Sequence, residues 1–101
     1  MITNLYETIL ECHVNLALCL IRLAHFEDAV SCLTSVIHYA PYNGQAYYLR
    51  GKAFFCLKEY SIAIGDLQTA KELIKDPNCA QAVYIDELTQ DINMLVKANC
   101  T

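Results

Sequence analysis

The feature that most constrains this chain is its similarity to itself at a spacing of 34 residues. Leu23 meets Leu57, Ala29 meets Ala63 and Leu33 meets Leu67, identity for identity. Phe26 falls on Tyr60, Val30 on Ile64, Leu20 on Phe54 and Ala17 on Gly51, so aromatic, aliphatic and small residues keep their classes. A fixed period of this length belongs to solenoids of stacked supersecondary units, none of which buries its apolar face alone.

Each unit predicts two helices. In the first, Leu16, Leu20 and Leu23 recur at helical spacing, and Ala29, Leu33, Val36 and Ile37 do so after a short link containing His25. Pro41 closes the second helix, and Tyr42, Asn43 and Gly44 supply a turn. In the second unit Tyr47, Gly51, Phe54 and Leu57 share one helix. Ala63, Leu67, Ala70 and Leu73 share the next, which ends before Asp76, Pro77 and Asn78. Ile74 and Lys75 add two residues before that proline, so this helix is expected to outrun its counterpart. Ala17, Ala29, Gly51 and Ala63 are small enough for antiparallel helices to approach closely.

Two flanks complete the organisation. Upstream, Asn4 followed by Glu7 has the spacing of a capping box, and Leu5, Ile9 and Leu10 extend the first helix. Downstream, residues 80–97 carry Ile85, Leu88, Ile92 and Leu95 on one face, with Asp86, Asp91 and Asn93 on another. That is the amphipathic cap a solenoid needs over its last repeat. The expected chain is one all-α domain: a first repeat over 4–41 with an extended helix, a second over 44–77 and a capping helix over 79–98. Two repeats are fewer than a solenoid usually needs. Nothing covers the first helix around Leu5, Ile9, Leu16 and Leu20. The preferred expectation is a fragment of a longer protein, and the alternative is self-association through that face.

Composition excludes several classes. Apolar residues make up 55% of the 101, charged ones only 18%, which rules out an intrinsically disordered chain. A net charge of -4 with seven Lys plus Arg argues against a nucleic-acid partner. The longest apolar run, Leu16 to Ile21, stops at Arg22, far short of the roughly 20 residues of a membrane span. Six cysteines without a C-x-x-C pair or a leader sequence are expected to be reduced, mostly buried thiols. A cytoplasmic location is expected, with the nucleus as the alternative.

The 34-residue period, Gly51, Ala63, Ala70, the aromatic at Tyr60 and the prolines after each unit resemble the tetratricopeptide repeat. The second unit, 46–73, keeps that pattern closely, whereas the first has Ala17 for the glycine and His13 where a large aromatic is usual. The resemblance covers about two thirds of the chain. It implies a right-handed α-α superhelix of antiparallel hairpins that binds proteins and needs no cofactor. The segment from Glu11 to Cys19 further resembles the second of three repeats in tetratricopeptide immunophilins and co-chaperones. Those proteins grip the acidic tail of heat-shock chaperones with Lys, Arg and Asn side chains. Carried over, the clamp asparagine matches Asn15, the lysine falls on Gln45 and the arginine on Leu49. Arg50 points about 100° away on a helix and is a poor substitute. Weak or absent binding of acidic tails is expected.

In the same register a peptide-binding groove would be lined by Val14, Asn15, Leu18, Ile21 and Arg22, with Gln45, Tyr48, Leu49, Lys52 and Phe55 facing them. Aromatic and aliphatic side chains with a few polar handles suit the grip on a protein segment, a chaperone or its client among the partners. The plainer alternative is that Ile21 and Phe55 are buried by a neighbouring helix. Two other readings stay open: a small stand-alone chaperone holding an extended client, and a structural homo-oligomer paired through the first helix. Catalysis and metal binding have no support. His13, His25 and His38 are never within one helical turn of each other, and adjacent Cys12 and His13 point apart. Tyr39, Tyr42 and Tyr84 are candidates for surface contacts.

Overall fold

A computed structural model describes residues 2–75 and 78–99, with the side chains of 2–4 and 99 excluded. Asp76, Pro77 and Cys100, and the helix stop assigned to that proline, lie outside the described residues. The described residues form five helices: α1 (Ile2–Arg22), α2 (Phe26–Tyr39), α3 (Gly44–Cys56), α4 (Tyr60–Leu73) and α5 (Ala80–Asn99). α1 pairs with α2 and α3 with α4, α2 packs against α3, and α5 closes over α4 and α3. The all-α helical-hairpin repeat is therefore the fold, drawn out to 55 × 29 × 20 Å. No helix of the described residues is long and apolar enough to cross a membrane.

The period shows in the backbone as well. Ala24 and Lys58, 34 residues apart, both adopt positive φ, 63° and 65°. After each, an amide closes the helix end: His25 N donates to the Leu20 carbonyl at 2.8 Å and Glu59 N to that of Phe54 at 2.9 Å. This left-handed stop is the usual way to satisfy terminal carbonyls, and without glycine it costs about 1–2 kcal/mol at each site. α3 begins at a proper N-cap, the Asn43 side chain accepting from Ala46 N at 3.1 Å.

Two linked cores hold the stack. The first joins Val14, Ala17 and Ile21 of α1 with Ala29, Leu33 and Val36 of α2 and Ala46, Leu49 and Ala53 of α3. The second joins Ala63, Leu67 and Ala70 of α4 with Ile85 and Ile92 of α5, so α5 covers the second hairpin. The small residues act as close-approach points. A Cβ on Gly51 would sit 3.0 Å from Leu67 Cγ and 3.2 Å from the Ala63 carbonyl oxygen.

Several expectations are corrected. α1 begins at Ile2, so Asn4 lies inside the helix and is not its N-cap. α4 has 14 residues like α2, because Ile74 turns to extended backbone and does not prolong it. Of the six cysteines, Cys12, Cys19 and Cys56 are exposed rather than buried. His13, at the position where the repeat pattern has a large aromatic, is exposed, and its carbonyl accepts from Cys32 Sγ at 3.2 Å. The largest correction concerns α1, whose buried side is Leu10, Val14, Ala17 and Ile21, while Leu16 and Leu23 face outward. Leu20, expected on the uncovered face, is half-buried against the first core. α1 is apolar on two sides, so its periodicity alone cannot choose between them. Ala17 lies on the side that packs, as Gly51 does at the equivalent point of the second hairpin.

Candidate functional site

The first helices of successive units, α1, α3 and α5, meet along one side of the molecule, with α3 in the middle. Two hollows flank it. The one between α1 and α3 has a volume of about 410 Å³, with Leu10 and Val14 at its floor, Tyr42 at its rim, and Glu7, Glu11, Asn15 and Gln45 around it. The one between α3 and α5 is smaller, about 190 Å³, and lined by Tyr48, Lys52, Tyr84, Glu87, Leu88 and Asp91.

The expected groove residues do not stay together. Asn15 and Gln45 share the first hollow, and Tyr48 and Lys52 share the second. Leu18 is half-buried on the first core and Arg22 is exposed at the last turn of α1. Leu49, Val14 and Ile21 belong to the core; Leu49 is only 3% exposed, so the residue at the clamp-arginine position is a packing residue. Phe55 leans on the second core, its ring 5.9 Å from that of Tyr60, and lines neither hollow. α3 presents Gln45, Tyr48 and Lys52 to this side and hides Leu49 one residue further round.

The sequence reading missed the acidic members. Glu7 and Glu11 stand one turn apart on α1, in line with Asn15, and Glu87 and Asp91 stand one turn apart on α5. Like charges at this spacing repel mildly on a helix. None of the four is ion-paired among the described residues, where the charged contacts are His25–Asp28, Arg50–Asp66 and Lys71–Asp86. Their i, i+4 spacing was the available signal. The Tyr48 hydroxyl is held above its ordinary pKa by burial, with the neighbouring Tyr84 adding to the shift. At neutral pH it is therefore a neutral hydrogen-bonding group beside Lys52.

No family model matches the chain. An 83-residue stretch, 81% of the chain, is 32% identical to sperm-associated antigen 1 of Homo sapiens and spans 9% of that protein.

Proposed function

We propose that this chain is a protein-interaction module that holds an extended segment of a partner across α1, α3 and α5, and carries no chemistry of its own. The observation that supports this reading is the pairing of two hollows flanking α3, each with an apolar or aromatic floor and unpaired carboxylates beside it. The resemblance to tetratricopeptide repeats, and the similarity to a segment of a much longer protein, favour an adaptor role over a self-contained activity.

The charge pattern sharpens the partner class. Glu7, Glu11, Glu87 and Asp91 outnumber Lys52 on this side, and Gln45 and Leu49 stand where a carboxylate clamp would need cations. The favoured occupant is a segment with apolar anchors and Lys or Arg nearby, and an acidic chaperone tail is disfavoured. Titration calorimetry should therefore rank a Lys-bearing apolar peptide above its Glu-bearing counterpart, with Glu11→Lys and Asp91→Lys weakening the first. Tighter binding of an acidic tail, lost in Asn15→Ala, would restore the clamp reading and overturn this one.

A further inference from the structure

α1 carries a second apolar stripe that no other described residues cover. Leu5, Ile9, Cys12, Leu16, Cys19 and Leu23 follow one another at intervals of four, three, four, three and four residues. That strict alternation is a coiled-coil seam, narrower than the stripe a helix turns toward a globular core. The four aliphatic members are 64, 48, 51 and 67% exposed in chain order. Both cysteines are exposed too. The seam lies about 150° round the helix from Leu10, Val14, Ala17 and Ile21, so α1 is apolar on opposite sides and packed on one.

The repeat shows that this face is one a neighbour covers. Advanced by 34 residues, Cys12, Leu16 and Cys19 become Ala46, Arg50 and Ala53 of α3. There α2 packs along the face: both alanines are fully buried, and Arg50 Nη1 donates to Thr34 Oγ1 of α2 at 3.3 Å. α1 has an apolar Leu16 in place of that arginine and, among the described residues, no helix against it.

We infer that a second copy of this chain covers the seam, α1 lying antiparallel to α1 about a two-fold axis. The seam is self-complementary under that operation, as a closed two-fold contact requires. Leu5 meets Leu23, Ile9 meets Cys19 and Cys12 meets Leu16 of the second copy, then the same three in reverse. The flanking positions are Tyr6, Thr8, His13, Asn15, Leu20 and Arg22, so Arg22 alone brings a full charge, and it falls beside Tyr6 of the second copy. Closing the seam removes on the order of 500 Å² per copy, about 1,000 Å² in all, the size at which a specific interface begins. The contact is thus a small, reversible one.

Sedimentation of the chain at micromolar concentrations tests this. The wild type is expected to form a dimer with a concentration-dependent Tm, and Leu16→Glu or Ile9→Glu to weaken it by about tenfold or more with unchanged helicity. A disulfide trap reads the register. Under mild oxidation Ile9→Cys should yield a linked dimer through Cys19 of the second copy, and adding Cys19→Ser should abolish the link. In the antiparallel pair the two Cys19 positions are ten residues apart along the axis, about 15 Å, beyond disulfide reach. A Cys19-to-Cys19 link would therefore overturn the arrangement. A wild-type monomer, or a dimer indifferent to both Glu substitutions, would overturn the pairing and leave the seam to a different helix, of a longer chain or of another polypeptide.

Discussion

Arg50 of α3 and Asp66 of α4 form a two-pronged ion pair, Nε donating to Oδ2 at 2.8 Å and Nη2 to Oδ1 at 2.7 Å. The side chains are 19 and 9% exposed. The guanidinium carbon also lies 5.7 Å from the Tyr47 ring centroid and 6.0 Å from that of Phe54. With its third contact on Thr34, one side chain ties α3 to both α4 and α2. The hydrogen bond to Asp66 outweighs burial and raises the guanidinium pKa further. The residue dismissed from the clamp on helical geometry is therefore a brace between the hairpins.

Removing one partner leaves the other poorly compensated. Asp66→Ala is expected to lower the unfolding free energy by about 3 kcal/mol in urea melts. Replacing both groups, as Arg50→Met with Asp66→Leu, should recover most of that loss because no charge stays buried. A double variant as unstable as the single one would show that packing, rather than the stranded charge, sets the cost.

Two glycines in helix interiors, Gly51 and Gly65, should respond in opposite directions to alanine. At Gly51 the new methyl would meet Leu67 and the Ala63 carbonyl at 3.0 to 3.2 Å, a contact that must displace backbone or core. Overpacking of this kind costs about 1–3 kcal/mol, which offsets or exceeds the gain in helix propensity. At Gly65 nothing lies within 4 Å, so Gly65→Ala should stabilise by close to 1 kcal/mol. Thermal melts of the two variants, compared with the wild type, decide both signs.

Alkaline pH should weaken the fold through Tyr48. Its folded-state pKa is raised by burial and then by Tyr84, so folding favours the neutral phenol. That contribution is complete below the unfolded tyrosine value of about 10 and is lost as pH rises through the higher folded value. An ultraviolet titration of tyrosinate should show a late component that moves to lower pH in Tyr84→Phe. Tyr39→Phe, on the exposed end of α2, should leave it in place.

Thiol reactivity should follow burial. Cys32 donates to the His13 carbonyl, and burial raises its pKa, whereas Cys12, Cys19 and Cys56 are exposed. Since the thiolate is the nucleophile, iodoacetamide at mildly alkaline pH should label Cys56, which lies outside the α1 seam, before Cys32, as peptide mass spectrometry would show. Rapid labelling of Cys32 would mean that the α1/α2 hairpin opens easily.

Much of the fold was legible because helices and repeats leave their period in the chain. Leu33 on Leu67 and Ala29 on Ala63 located the paired helices and the buried side of α2 and α4. Ile85 and Ile92 marked the packed face of α5. The candidate site was only half legible. Asn15, Gln45, Tyr48 and Lys52 follow from the register of two neighbouring helices. Glu87 and Asp91 join them only because α5 folds back beside α3.

What the sequence determined by itself is the number and pairing of helices, since periodicity is a property of each helix and its recurrence a property of the chain. It could not determine how α1 is rotated, because Leu10, Val14, Ala17 and Ile21 form one apolar stripe and Leu5, Ile9, Leu16 and Leu23 another. Only the tertiary structure decided, by packing α2 and α3 on the side of Ala17. The same choice put Val14 and Ile21 in the core, gave Asn15 to a hollow and left the Leu16 stripe outside. Rotation about a helix axis belongs to the pair of helices in contact, and a single helix's pattern cannot contain it.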